Sequence, residues 1–400
     1  MNKKLRSIIK KENPLYKIIH KCYNALKLIL YYIIKLLFKI ENKAVFCSFN
    51  GKSYSCNPRA ISEELHKQSP DTKIVWAFLD VRKKRNVVPD YVRCVKHGSI
   101  RELYELTTAK YWIDNFSKPS TTRKRKGQIY IQTWHGDRGF KKVLYDSPNC
   151  KPTNKYIESD ICDVMTVGSD FGIKKLSGAF KYNGEFLKFG SPRNDKLINN
   201  SSDEVNRVKK FLGIDSDKKI LLFAPTFRRS KSKEKQSMQG IDLIEIKDKL
   251  DEITGQEWVC LTRAHSISNG LDIDSSIASK VIDVTNYEDM ADLLMITDLL
   301  ITDYSSSAGD FILKFKPLIL FQPDREEYMS KDRTFYFDID DSPFIVARSQ
   351  DEILSILTEL NEEKIRKNCE DILKFYGVFE SGQAAKKAVE YMISFGKKED

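Results

Sequence analysis

The stretch DLLITDYSSSAGDF, residues 298–311, contains an apolar run, a short polar turn and three consecutive serines before a second apolar run. The run Leu299–Ile301 predicts a buried strand, and the serines predict a helix start, where serine is favoured. A strand followed by a helix is typical of parallel α/β sheets, whose ligands bind at the carboxyl ends of the strands. Ser305, Ser306 and Ser307 favour a phosphate site, although helix capping alone would explain the same serines.

The alternation of strands and helices extends over most of the chain. Apolar runs predict strands at 44–49, 73–79, 110–115, 128–133, 163–169, 219–227, 257–265, 280–285, 298–304 and 317–321. Helical spacing is present at 58–67, 100–109, 242–253, 287–297 and 306–314. A polar segment, residues 195–218, separates the two series. We therefore predict an α/β protein with two facing Rossmann-like domains and a cleft between them.

Charge and cysteine usage narrow the class of protein. The net charge is +11, and eleven lysines and arginines lie in residues 1–43 against only Glu12 and Glu41, so the rest of the chain is nearly neutral. The eight cysteines form no CxxC pair and no cluster with histidine. We expect a reducing compartment, no disulfide framework and no structural zinc. No carboxylate cluster calls for a metal, and we predict no cofactor.

The basic arm has the pattern of an amphipathic helix. Its longest stretch between lysines is Leu28–Ile34, far short of the roughly 20 apolar residues that span a bilayer. At helical spacing, Lys17, Lys21, Lys35 and Lys39 share one side, away from most leucines and isoleucines. This pattern favours a helix lying on an anionic membrane surface, with packing against the protein as the alternative. No nucleic-acid motif follows the arm, so we expect no nucleic-acid partner.

Further charged groups follow predicted strands. TRAH, residues 262–265, supplies Arg263 and His265, and APTFRR, residues 224–229, supplies Arg228 after a proline that ends its strand. These groups could meet an anion in the same cleft. GSPRND, residues 190–195, is equally compatible with a connecting turn.

IYIQTWHGDRG, residues 129–139, ends a strand in the first domain with His135 and Gly136. A histidine titrates near neutrality and can take a proton from a hydroxyl group. Glycine allows a ligand to approach the backbone. By itself the spacing favours a hydrogen-bonded core histidine over a catalytic one.

The motifs WHG…KK, GSPRND, APTFR, RAH and TDYSS, in this order, resemble the CDP-glycerol glycerophosphotransferase family of bacterial wall teichoic acid synthesis, whose members use CDP-glycerol or CDP-ribitol. The resemblance extends from about Phe49 to the C-terminus and includes YSCNPRA, residues 54–60. It implies a GT-B-type fold and association with one membrane surface. Matched by position, it implies that His135 and His265 are catalytic and that the first two serines of TDYSS bind the diphosphate.

The implied reaction moves a polyol phosphate, glycerol phosphate first and ribitol phosphate second, from a CDP-polyol to a hydroxyl of a lipid-linked acceptor, with CMP leaving. His135 would be the base, and the donor side would comprise Ser305, Ser306, Arg263, Arg228, Thr302 and Asp303, with His265. We expect residues 1–43 to form the membrane arm, 44–197 the acceptor domain, 198–375 the nucleotide domain and 376–400 a C-terminal helix and tail. The enzyme would work at the cytoplasmic face of the bacterial membrane, and homo-oligomerisation stays open.

Two positions depart from the family pattern. The family often has Thr-Pro where this chain has Asp137 and Arg138, and bulky residues where it has Ala308 and Gly309. We expect Gly136, Asp137 and Arg138, with Asn57 of YSCNPRA, on the acceptor side. The departures would then affect the choice of polyol and acceptor.

Two other functions compete with this interpretation. The first is a GT-B glycosyltransferase that uses a nucleotide sugar for a cell-surface polysaccharide. The second is a membrane-docked scaffold that binds a nucleotide without turnover, which the retained His135 and His265 disfavour.

Overall fold

The computed structural model describes residues 14–148, 150–151, 155–226, 236–237, 240–264, 271–272, 280–331 and 334–398. These residues form two parallel sheets flanked by helices. Two of the functional residues predicted from the sequence, Arg228 and His265, lie outside the described residues.

The first sheet has seven strands: β1 (Glu41–Cys47), β2 (Lys73–Phe78), β3 (Val92–Lys96), β4 (Ala109–Asp114), β5 (Ile129–Gln132), β6 (Val164–Val167) and β7 (Glu185–Lys188). Their order is β3-β2-β1-β4-β5-β6-β7, with parallel neighbours. The connecting helices are α2 (Cys56–Gln68), α3 (Val81–Lys84), α4 (Ile100–Thr108), α5 (Glu158–Ile161) and α6 (Asp170–Phe180). Trp76, Trp112 and Ile131 are fully buried, since helices cover both faces of a parallel sheet.

The second sheet has six strands: β8 (Lys219–Ala224), β10 (Trp258–Thr262), β12 (Val281–Asp283), β13 (Leu299–Thr302), β14 (Leu318–Phe321) and β15 (Val346–Ala347). Their order is β12-β10-β8-β13-β14-β15, again parallel. A short parallel pair, β9 (Gln236–Ser237) and β11 (Leu271–Asp272), stands apart. The helices are α9 (Leu243–Thr254), α10 (Met290–Ile296), α11 (Ser307–Phe311), α12 (Arg325–Lys331), α13 (Gln350–Glu359) and α14 (Glu362–Tyr376).

Two short helices, α7 (Asp195–Asn199) and α8 (Ser202–Phe211), connect the sheets within the polar segment that separates the two predicted series. The chain returns at its end: α15 (Ala384–Lys398) packs on α2, and Ala388, Val389 and Met392 belong to the core of the first sheet. The C-terminal helix therefore connects the second domain back to the first.

The N-terminal helix α1 (Pro14–Leu37) packs on α4. Tyr31 and Ile34 are buried on its inner side, and the Tyr23 hydroxyl donates a hydrogen bond to the Gly98 carbonyl at 2.8 Å. Among the described helices, none has the length and apolar character required to cross a bilayer. A different side of α1 is exposed and apolar; it includes Ile18, Leu26, Ile29, Ile33, Leu36 and Leu37.

The strand orders identify where ligands bind. In an open parallel sheet the binding crevice lies where the strand order reverses, at the carboxyl ends of the two strands on either side. This point lies between β1 and β4 in the first sheet and between β8 and β13 in the second. His135 follows β5, next to β4, and the three serines follow β13. The two predicted motifs therefore lie at the carboxyl edges of their sheets, where ligands bind in this type of fold.

Candidate active site

The turn that presents His135 is held by hydrogen bonds from Asn57. Trp134 has a left-handed φ of 46°, a conformation that typically costs about 1–3 kcal/mol for a non-glycine residue. The buried Asn57 amide donates to the Thr133 and Trp134 carbonyls, each at 3.1 Å, and its oxygen accepts from the Arg193 N–H at 3.0 Å. Asn57, predicted on the acceptor side, is therefore a clamp on the histidine turn.

The hydrogen bond of His135 fixes its tautomer. Its Nδ1 lies 2.7 Å from the Asn115 carbonyl oxygen, which can only accept, so Nδ1 carries the proton. Nε2 is then the basic nitrogen of the neutral ring. Phe49, Phe116 and Trp134 surround the imidazole, with ring centroids 5.1, 5.7 and 4.1 Å away. The half-buried ring is oriented, which a general base requires.

The glycines that follow His135 make room for the second domain. A Cβ atom at Gly136 would lie 2.9 Å from the Ser306 Oγ and 3.0 Å from its Cβ, and one at Gly139 would lie 3.0 Å from the same Cβ. The room expected for an acceptor at Gly136 is therefore occupied by Ser306. The structure brings the histidine turn and the serine segment into contact across the two domains.

The serine segment contains two buried residues that connect strands, followed by two serines that are partly accessible. The buried Thr302 hydroxyl donates to the Ala224 carbonyl at 2.6 Å, and the buried Asp303 carboxylate accepts from the Thr226 N–H at 2.8 Å. These two bonds join the ends of β8 and β13, so neither residue is presented to the cleft. Ser305 and Ser306 are only partly buried, and the Ser307 hydroxyl donates to the Ser305 hydroxyl at 2.8 Å.

Arg263 follows β10, the neighbour of β8 on the same edge of the second sheet. One terminal nitrogen donates to the Tyr287 carbonyl at 3.1 Å, while the other, Nη1, is buried with no hydrogen-bond partner among the described residues. Burial also lowers the pKa of the guanidinium. A partly buried cation with one buried, unused donor is unfavourable unless an anion meets it, which is consistent with a phosphate contact.

Asp137 and Arg138 lie in the interior, away from an open acceptor surface. The Asp137 carboxylate accepts from the Gly168 N–H at 3.0 Å and from the Ser169 hydroxyl at 3.2 Å. The Arg138 side chain is fully buried and pairs with Asp310 of the second domain. Both residues therefore contact protein on every side.

Lys175 was not found by sequence analysis. It lies on α6, is buried, and its ammonium donates to the Gly136 carbonyl at 2.7 Å and the Gly139 carbonyl at 2.9 Å. Burial lowers its pKa to about 7, with Asp137 acting in the opposite direction. Lys174 beside it is exposed, so no local pattern distinguishes the two lysines.

Sequence analysis also did not predict a second contact between the domains. Glu288, just before α10, pairs with Lys84 at 2.6 Å and accepts from the Tyr54 N–H at 2.6 Å. Asp289 accepts from the Cys56 N–H at 3.1 Å, and Arg59 pairs with Asp292 at 3.0 Å. YSCNPRA is thereby attached to the second domain.

Two facing parallel α/β sheets, with an oriented histidine on one and a serine segment on the other, define a group-transfer enzyme of the GT-B type. The chain belongs to the CDP-glycerol:poly(glycerophosphate) glycerophosphotransferase family, whose sequence profile matches residues 29–394. The family, the GT-B-type fold and the class of enzyme, a CDP-glycerol glycerophosphotransferase, are thus as predicted from the motifs.

Several relatives carry related names. The chain is 32% identical to a teichoic acid poly(glycerol phosphate) polymerase of Bacillus spizizenii W23, covering 91% of this chain and 95% of the relative. It is 30% identical to the polymerase of that name from Bacillus subtilis 168, covering 96% of this chain and 52% of that longer relative. It is 27% identical to the teichoic acid ribitol-phosphate primase of B. spizizenii W23, with coverage of 91% and 94%.

Solved structures agree with these relatives. The wall teichoic acid polymerase TagF superposes with a TM-score of 0.81 at 26% identity, covering 96% of this chain and 98% of that one. A histidine-to-asparagine variant of TagF soaked with CDPG superposes with a TM-score of 0.79 at 27% identity, with the same coverage.

Lys175→Met should change how stability depends on pH. Because the folded pKa is about 7 and the unfolded value about 10.4, the unfolded chain binds more protons between these values. The wild-type free energy of unfolding therefore gains up to about 1.4 kcal/mol per pH unit in that window, and nothing below it. In urea denaturation, the free energy of unfolding of the wild type minus that of Lys175→Met should grow from about pH 7 to about pH 9. Lys174→Met is the control. If the free energy of unfolding of Lys175→Met depends on pH in the same way as that of the wild type, the lowered pKa is contradicted.

Proposed function

We propose that this enzyme transfers glycerol phosphate from CDP-glycerol to a hydroxyl group at the end of a lipid-linked teichoic acid acceptor, releasing CMP. The observation that carries the proposal is the contact between the His135 turn and Ser306. A base nitrogen with a fixed tautomer lies on one domain, and phosphate-binding hydroxyls lie on the other. The names of the relatives support glycerol phosphate ahead of ribitol phosphate as the transferred group.

In the proposed reaction the acceptor hydroxyl oxygen attacks the phosphorus that carries glycerol. A new oxygen–phosphorus bond forms, and the bond between this phosphorus and the bridging oxygen of CMP breaks. His135 Nε2 takes the proton of the hydroxyl group, while Nδ1 keeps its own proton and donates it in the hydrogen bond to the Asn115 carbonyl. Phosphoryl transfer depends chiefly on positioning and charge stabilisation, and the oriented ring contributes the first.

The donor's diphosphate would lie at the carboxyl edge of the second sheet. Ser305 and Ser306 offer hydroxyl groups there, and Arg263 offers a partly buried cation whose buried Nη1 has no hydrogen-bond partner among the described residues. By the family resemblance, His265 and Arg228 would join them. Thr302 and Asp303 would act indirectly, by joining β8 to β13 beneath the serines.

The acceptor side is assigned to the space next to the His135 ring. Asn57 shapes this space by holding the histidine turn, and Gly136 by admitting Ser306. On this proposal the acceptor hydroxyl reaches Nε2 through that space.

A panel of donors tests the reaction directly. With a lipid-linked acceptor, the full-length protein should release CMP from CDP-glycerol and lengthen the acceptor, with slower or no turnover of CDP-ribitol. UDP-sugars should give no UDP or UMP. Release of UDP or UMP would instead identify a nucleotide-sugar transferase, and binding without turnover of any donor would identify an inactive scaffold.

His135→Ala should lower kcat by about 10²–10⁴-fold, the usual contribution of a general base, while Kd for CDP-glycerol changes little. The base acts on the acceptor and does not hold the donor, so its loss should lower kcat without weakening the binding of CDP-glycerol. The control is His66→Ala: His66 stacks on Tyr91 at a centroid distance of 3.6 Å, outside the site. Turnover of His135→Ala at the wild-type rate would exclude the base role.

We also propose that α1 lies on the cytoplasmic face of the membrane as a peripheral anchor. Its buried residues face α4, and a separate side exposes large apolar groups, including Leu36 at 85% and Leu37 at 67% exposure. Lys21 and Lys35 are exposed as well, so the helix joins an apolar side to a cationic one. This combination suits an anionic bilayer surface.

Replacing Leu36 and Leu37 together by aspartate should release the protein from anionic vesicles. Each leucine contributes about 2 kcal/mol on burial, so partitioning should weaken by at least about 100-fold. Phe211→Asp is the matched control, since Phe211 is 77% exposed on the body of the protein. Sedimentation with phosphatidylglycerol vesicles measures the effect. Undiminished sedimentation of the leucine variant would place the docking surface elsewhere.

A further inference from the structure

Arg138 joins three segments that are far apart in the chain. It lies three residues after His135, and its side chain is fully buried. One terminal nitrogen lies 2.9 Å from Asp310 Oδ1 on α11 and 2.8 Å from Glu380 Oε1, between α14 and α15. The histidine turn, the serine segment and the returning C-terminal chain thus meet at one guanidinium.

Gly309 is required by the position of Arg138. A Cβ atom at Gly309 would lie 2.7 Å from the Arg138 Cβ and 3.0 Å from the Arg138 carbonyl oxygen. Real Cβ atoms do not approach other atoms so closely, so a larger residue would push the two segments apart. Arg138 and Gly309 are two of the residues at which a departure from the family pattern is expected from the sequence, and here they are in contact.

The surrounding charges support a positional role. Arg193 contacts both oxygens of Asp310, at 3.1 and 2.9 Å, and the Asn194 amide donates to Asp310 and Glu380. The Arg138 Nε and Nη1 atoms are buried with no hydrogen-bond partner among the described residues. A buried cluster that leaves donors unused is poor at stabilising a fold compared with apolar packing. Its geometry, in contrast, holds both domains at a defined separation.

We propose that Arg138 and Gly309 are a matched pair of positioning residues that set the distance between His135 and Ser306. The pair lies three residues beyond each of these groups, on the same two segments. Close packing at the pair allows Ser306 to contact Gly136 and Gly139. The inference rests on the proposed function, because it concerns how base and diphosphate are held relative to each other.

The size of the effect follows from the reaction. A displacement of about 1 Å between reacting groups can cost about 100-fold in rate. A change at the pair should therefore lower kcat more than it changes the affinity for CDP-glycerol, since each half of the site stays intact on its own domain.

Three variants separate positioning from stability. Arg138→Met removes one buried positive charge and should lower both the melting temperature and kcat. Adding Glu380→Gln removes one negative charge, so the double variant should regain much of the melting temperature while kcat stays at least about 10-fold below wild type. KM for CDP-glycerol should stay within about 3-fold of wild type. Recovery of kcat together with the melting temperature would show that Arg138 only stabilises the fold and would overturn the proposal.

Gly309→Ala keeps every charge and adds one methyl group against Arg138. It should lower kcat by at least about 10-fold, again with little change in KM. If the double variant does not regain stability, Gly309→Ala decides whether the pair positions the site or only stabilises the fold. Activity of Gly309→Ala within about 2-fold of wild type would refute the matched pair. Arg366→Met, which breaks an exposed pair with Glu370 on α14, is the control. If wild type turns over a different donor in the panel, the same variants are assayed with that donor, so failure of the function and of the pair are distinguishable.

Discussion

The site depends on one close contact, that of Ser306 with the backbone at Gly136 and Gly139. Each of the two sheets ends in a crevice of its own, and on the proposed function neither crevice alone contains both the base and the phosphate-binding groups. The absence of Cβ atoms at the two glycines allows the serine segment to touch the histidine turn. Asn57 and Lys175 donate hydrogen bonds to the backbone carbonyls of the histidine turn. The backbone that Ser306 contacts is therefore already fixed in position.

Much of the fold was predictable because buried parallel strands are short apolar runs. β8 and β13 were found for this reason, although their predicted ends extended two residues or more into the turns that follow. β3 (Val92–Lys96) and β7 (Glu185–Lys188) were missed because they are the edge strands of the first sheet and alternate with charged residues. The 306–314 helix is a five-residue α-helix continued by a 3₁₀ turn, Ile312–Lys314.

The position of a candidate residue was predictable where its motif follows a strand, and unpredictable where its burial depends on contacts between distant segments. His135, Ser305 and Ser306 are examples of the first kind in position, and their roles stay predictions. Lys175 and Glu380 are examples of the second, since a charged residue in a helix or loop is normally exposed, and only the folded chain shows that these two are buried. Asp137 and Arg138 were expected at the acceptor side for the same reason.

The two explanations of α1, packing on the protein and lying on a membrane, are compatible, because different sides of the helix are involved. Its inner side contacts α4, and α4 leads without a loop into β4 (Ala109–Asp114). The next residue, Asn115, accepts the hydrogen bond that orients His135. A strand of six residues is about 20 Å long and rigid within a sheet. On the proposed function, the anchor and the base are therefore connected through a single strand, which sets how far a lipid-linked acceptor must extend to reach the base.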